Sequence, residues 1–179
     1  MSLSVMLDLE TLATTPQSVV LTIGAVKFNP YTLDEPQPGL YLRLDVDEQT
    51  ARGRLVDEGT VAWWGKQAED VREEALSPDN RVSMNTLYQE LNKFVVGAES
   101  IWAQGPVFDI AILEDIYRQY GWPIPWDFWR IRDSRTLFGV HGDPRVKGKA
   151  GLHNAMEDCI SQAKAIQQIM NKLGIKQKA

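Results

Sequence analysis

Near the start of the chain, Val5, Met6, Leu7 and Leu9 form an apolar run broken only by Asp8, and Glu10 follows directly. Such a run reads as a strand over residues 4–9, apolar enough to lie at the centre of a sheet. A charge placed there is costly unless it is paired or bound to a metal. Side chains two apart on a strand point to one face, with Cβ atoms roughly 6–7 Å apart, so Asp8 and Glu10 could share cations. The pair alone says little: with 24 acidic residues in 179, roughly three such pairs arise by chance at average usage. Its weight comes from the apolar neighbours.

The rest of the chain supplies partners for that strand. Residues 19–28 are rich in β-branched and apolar side chains, and residues 41–44 alternate apolar with polar, which predicts hairpin partners. Pro16, Pro30 and residues 36–39 supply the turns. From Thr60 the period becomes helical, with Val61, Trp64, Gln67 and Ala68 on one face. The same reasoning predicts a helix over residues 83–96 with Ser83 and Thr86 as candidate caps, a strand over 100–103, an amphipathic helix over 109–120 and a short strand within 130–135. A final helix runs from about 152 to 173, with Gly174 as its stop. Three strands followed by alternating helices and strands predict an α/β fold: a mixed sheet with helices packed on its faces.

A chain of 179 residues suits one domain, with residues 174–179 as a frayed tail. No apolar run approaches the roughly 18 residues that span a bilayer, and the N-terminus lacks the pattern of a secretion signal, so a cytoplasmic protein without membrane partners is expected. The single cysteine, Cys159, has no zinc-ligand spacing around it and reads as a small buried helix residue. A net charge of −5 argues against coating a nucleic acid through bulk electrostatics. It suits a metal enzyme, whose bound cations reverse the local sign of its carboxylates.

Two further acids stand out. Asp109 opens a helix, where the macrodipole alone would favour it. Asp158 lies among apolar neighbours on the last helix, a poor place for an uncompensated charge. His153 stands five residues earlier, about 140° away on an ideal helix, so the two share a face only if His153 sits outside the helix, in the loop after the flexible residues 148–151. Placed so, a histidine can take a proton from water near neutral pH.

In order, Asp8-x-Glu10, Asp109 within Gly105-Pro106-Val107-Phe108-Asp109, and His153-x-Ala155-x-x-Asp158 resemble the motifs of the DEDDh branch of the ribonuclease H-like exonucleases. The sister branch would carry a Tyr four before the last Asp, where this chain has Asn154. The short length and the Trp63-Trp64 pair are similar to the small bacterial and phage group that includes exodeoxyribonuclease VIII-like proteins and their exoribonuclease relatives. The resemblance implies a ribonuclease H-like mixed sheet, with a three-strand antiparallel start, then parallel strands, and helices on both faces. It implies one 3′–5′ exonuclease domain over residues 1–179 that releases nucleoside 5′-monophosphates from the 3′ ends of DNA or RNA. Asp8, Glu10, Asp109 and Asp158 would hold two Mg²⁺ or Mn²⁺ ions, and His153 would be the general base. The homodimers common among relatives are an expectation by analogy only.

Substrate contacts follow from the same resemblance. Thr11 and Leu12 would lie against the terminal sugar, with Gln104 and Phe108 of the second motif beside it. The chain departs from the family at Leu12-Ala13, where Thr-Gly is common, and at Gln104, where Asn is usual. Trp63 and Trp64 are adjacent on a helix and cannot face one way, so one is core and the other could stack on terminal bases; Trp64 is the candidate, with Trp63 the alternative. Arg130, Arg132, Arg135, Arg145, Lys147 and Lys149 could track a phosphate backbone, although scattered surface ion pairs account for any one of them. Two rival readings share these residues: a ribonuclease H-like endonuclease or resolvase, which needs no loop histidine, and a nucleic-acid-binding module whose metal site has decayed.

Overall fold

The computed structural model describes residues 3–145 and 153–177. Its sheet begins with β1 (Ser4–Thr11), β2 (Val20–Phe28) and β3 (Gln37–Leu44). Three short helices follow, α1 (Val46–Ala51), α2 (Glu58–Trp64) and α3 (Glu69–Leu76), then β4 (Arg81–Val82) and α4 (Met84–Val95). The second half alternates β5 (Ser100–Ala103), α5 (Asp109–Tyr120), β6 (Ile131–Asp133), α6 (Ser134–His141) and α7 (Ala155–Lys172). The six strands lie in the order β4-β3-β2-β1-β5-β6. β2 runs antiparallel to β1 and β3, whereas β5 and β6 continue the sheet parallel to β1. This is the mixed sheet that the element order predicts, with β1 at its centre.

Strand register divides the chain between two cores. Leu7 lies beside Ala25 and Leu40, and Leu9 beside Ile23. That face packs on Leu87 and Leu91 of α4 and on Ile112, Leu113 and Ile116 of α5. On the opposite face Met6, Val26, Phe28 and Trp102 meet Cys159, Ala163, Ile166 and Ile169 of α7, with Phe138 of α6. Each buried Leu or Ile contributes about 1.5–3 kcal/mol relative to exposure, so both faces are held. Asp8 and Glu10 fall on the α7 face because the period of a strand is two.

The structure differs from the sequence reading in identifiable places. The helix starting near Thr60 is two helices, because Asp57 caps α2 by accepting from the Thr60 N–H and the chain breaks at Gly65 before α3 starts at Glu69. The strand within 130–135 is three residues long, since Asp133 caps α6 at once by accepting from the Arg135 N–H. The last helix starts at Ala155, because Asn154 accepts from the N–H groups of Met156 and Glu157 and His153 adopts a left-handed φ of 71°. Among the described residues no helix is long and apolar enough to cross a membrane.

Candidate active site

The site is built where β1 meets the first turns of α5 and α7. Asp8 lies opposite Gly24 in the β1–β2 register, and Glu10 lies opposite Thr22. Gly24 determines how closely α7 can approach: a Cβ there would come within 2.4 Å of the Ala155 carbonyl. With only hydrogen on that face, the start of α7 rests directly on β2, and the Cys159 thiol reaches the Gly24 carbonyl at 3.2 Å. That seating carries Asp158 to the two carboxylates of β1. One turn further, the Gln162 amide donates to Asp8 Oδ1 at 3.1 Å.

Asp109 enters from the other side. The β5–α5 loop turns at Gly105, whose φ of 106° suits glycine, and Asp109 Oδ1 then accepts the Leu9 N–H of β1 at 3.1 Å. This contact crosses 100 residues of sequence and fixes the buried carboxylate beside Asp8 and Glu10.

His153 stands outside the helix, as its spacing from Asp158 requires. Its backbone N–H donates to Asp158 Oδ2 at 3.0 Å, and its ring meets Trp63 edge-on, with centroids 4.7 Å apart and planes at 87°. One ligand atom each from Glu10, His153 and Asp158 lie within 4.8 Å of one another.

Crowded acids in a poorly hydrated place resist ionisation. Burial pushes the Glu10 carboxyl up to about 8, helped by the charges of Asp158 and Asp109. Asp8 is raised well above the usual carboxylate range by burial, then by Asp109, Glu10 and Asp158. Burial lifts Asp109 to about 7, although the Leu9 N–H and the Arg135 charge oppose it. Asp158 is raised by burial against the His153 N–H bond. A cluster of this kind is short of positive charge. Oxygen-rich, hard donors with one imidazole suit a hard divalent cation, so the residues present fit such an ion.

Other expected residues fall differently. Trp64 does not stack on substrate: it is 1% exposed, packs with Leu12, Val19 and Leu21, and donates its indole N–H to the Thr11 carbonyl. Trp63, 40% exposed, is the tryptophan that faces out. Thr11 and Leu12 are buried, and their polar groups are engaged within the fold: the Thr11 hydroxyl donates to the Ala13 carbonyl, the Leu12 N–H to Val19, and the Leu12 carbonyl accepts from Asp57. Phe108 packs partly against the α4–α5 core. Gln104 sits at the end of β5 with its carbonyl accepting from Arg135 at 3.0 Å, while its amide Oε1 is buried and has no partner among the described residues.

Among the described residues the basic segment does not form one stripe. Arg130 precedes β6, at the end of the parallel strands away from the carboxylates, and bonds the Ala98 carbonyl. Arg145 pairs with Asp143 at 2.6 Å, and among the described residues of this segment Arg135 and Arg145 bear electrostatically on the site acids. Lys147 and Lys149 lie outside the described residues. Gln162 and Gly24 escaped the sequence reading. For Gln162 a signal existed, since it lies four residues beyond Asp158 and so on the same helix face.

A match along nearly the whole chain decides what this arrangement belongs to: residues 3–170 fit the Rv2179c-like 3′–5′ exoribonuclease domain. The chain is a member of that family. It is therefore a 3′–5′ exonuclease domain, a hydrolytic nuclease, with a ribonuclease H-like fold. Among solved structures it is similar to product-bound exonuclease I, with 15% identity and a TM-score of 0.65 over 96% of this chain and 43% of that one. It is also similar to cell-death related nuclease 4, with 14% identity and a TM-score of 0.62 over 96% and 64% of the two chains. A third is Escherichia coli exonuclease I in complex with a dA16 oligonucleotide, with 17% identity and a TM-score of 0.62 over 97% and 42%. These likenesses carry the fold, and the chain spans less than half the length of the exonuclease I structures. No curated protein matches it by sequence.

Proposed function

We propose that this family member is a Mg²⁺- or Mn²⁺-dependent exonuclease that removes nucleotides from the 3′ ends of RNA in the cytosol and releases nucleoside 5′-monophosphates. The observation that carries this reading is the convergence of Glu10, His153 and Asp158 to within 4.8 Å, with the buried acids Asp8 and Asp109 crowded against them. Asp8, Glu10, Asp109 and Asp158 are the groups to hold two cations, which when bound activate water and stabilise the leaving oxygen.

The chain's own groups do the rest. The His153 ring takes the proton of the attacking water, held in place by the backbone bond to Asp158 and by the edge of Trp63. Water joins phosphorus, the bond from phosphorus to the preceding 3′-oxygen breaks, and the phosphate departs on the 5′ side of the released nucleoside. Exposed Trp63 offers a face for a terminal base, worth about 1–3 kcal/mol. RNA is favoured by the family's exoribonuclease description.

The deciding experiment digests RNA and DNA oligomers, labelled at either end, with Mg²⁺, with Mn²⁺ and with chelator, beside a covalently closed circle. Cation-dependent release of mononucleotides from the 3′ end, faster on RNA, is expected. Cleavage of the circle would convert the reading to an endonuclease, and absence of hydrolysis with either cation would leave a binding module.

A further inference from the structure

Gln162 lies inside the carboxylate cluster, yet no motif includes it. It is 4% exposed. Its Nε2 donates to Asp8 Oδ1 at 3.1 Å, and its Oε1 is buried with no hydrogen-bond partner among the described residues. The carboxylate decides which end of the amide faces it, because an amide oxygen turned toward Asp8 would meet another acceptor. A buried acceptor without a donor costs about 1–3 kcal/mol. Replacing this glutamine by an apolar side chain of the same length would remove that cost and also the donor to Asp8, so what the amide contributes here runs through the Asp8 carboxylate.

We infer that Gln162 is a positioning residue of the cation site: its amide N–H holds the Asp8 carboxylate in one orientation, and its unpartnered oxygen receives a donor from the hydration water that accompanies the cation. The inference rests on the cation-dependent reading above. Helix geometry supports it, because Gln162 follows Asp158 by four residues and both point from α7 toward β1. The donor also completes a pattern known to matter at metal sites, where partners that orient a ligand change cation affinity by about 10–100-fold. On this inference the Gln162 oxygen, without a partner among the described residues, gains one when the cation and its water bind.

The test compares wild type, Gln162→Met and Gln162→Leu, with Asp8→Asn as the reference for a lost carboxylate. Calorimetric titration with Mn²⁺ and Mg²⁺ gives affinity, and thermal melting in chelator gives the stability of the metal-free fold. Both Gln162 variants should bind cations about 10-fold or more weakly while melting, without metal, within a few degrees of wild type, since the lost bond to Asp8 and the removed unpartnered oxygen offset one another. Turnover should follow the affinity loss and recover in part at high cation concentration, with KM for the oligonucleotide unchanged. If affinity stays at the wild-type value while Asp8→Asn loses it, the role assigned to Gln162 is wrong and the cation site stands. If both variants melt well below wild type in chelator and lose affinity only in proportion, Gln162 is a structural residue and the inference is overturned. A wild type that binds neither cation removes the parent reading, and this one with it.

Discussion

Glu10 is 8% exposed, faces Asp158 and Asp109, and has its carboxyl pushed up to about 8. Holding it ionised at neutral pH works against the metal-free fold. Glu10→Gln keeps the size and removes the charge, so the metal-free variant should melt a few degrees higher at about pH 8, where 1 kcal/mol corresponds to roughly 2–4 °C in a chain of this length. Activity should fall by more than about 100-fold, since the proposed function makes Glu10 a direct ligand, which matters more than its supports. Scanning calorimetry in chelator with a single-turnover assay checks both, and a variant that is less stable and still active would contradict the electrostatic account. The adjacent tryptophans separate in the same way. Trp64→Ala should destabilise by about 3–5 kcal/mol, as expected for a buried aromatic, and it also leaves the Thr11 carbonyl without its indole donor. Trp63→Ala should melt within about 1 kcal/mol of wild type and lose turnover, because His153 loses its ring contact. Equal destabilisation by the two would show that their burial differs less than the structure indicates.

At the scale of elements, the seating of α7 on β2 is the joint on which the site depends. Gly24→Ala would place a Cβ within 2.4 Å of the Ala155 backbone, which cannot be relieved by turning a side chain. The helix must move, at a cost of about 1–3 kcal/mol or more, and Asp158 and Gln162 move with it. Denaturant melts should show that loss. Assays well below the melting temperature should show a fall in turnover larger than unfolding accounts for, whereas turnover that tracks only the folded fraction would show that α7 repacks without displacing its acids. The elements nearest this joint were legible in the sequence. The β1 run, the β5 strand and the Asp109–Tyr120 helix follow from apolar periodicity, and the last helix follows apart from its first turn. What periodicity could not show was local chemistry: the Asn154 cap that leaves His153 in a left-handed turn, the early start of α6 at its Asp133 cap, and α1, whose buried Gln49 bonds both N–H and C=O of Val20. The α7–β2 contact was illegible for another reason. Gly24 reads as one more strand residue until the helix above it is placed.

Across the whole molecule, the site acids couple folding to pH with a sign opposite to that of ion-paired carboxylates. Glu10 at about 8 and Asp109 at about 7 hold protons that the unfolded chain gives up near pH 4. Between about pH 4 and pH 8 the native metal-free state thus binds more protons than the unfolded state, and the free energy of unfolding falls as pH rises. The stabilising contribution is fully present below the unfolded values and is lost as pH climbs through 7 and 8. Asp8 and Asp158, both raised, act in the same direction. On the proposed cation-dependent reading divalent ions bind the ionised cluster, so their stabilisation, which grows as RT ln(1 + [L]/Kd), should increase over the same window. In chelator the melting temperature should decline by several degrees from about pH 5 to about pH 8, and saturating Mn²⁺ should flatten or reverse that decline. Glu10→Gln should make the chelator profile shallower without touching its acidic end. A metal-free protein whose stability rises across this range would mean that the four acids are not forced together in the native fold.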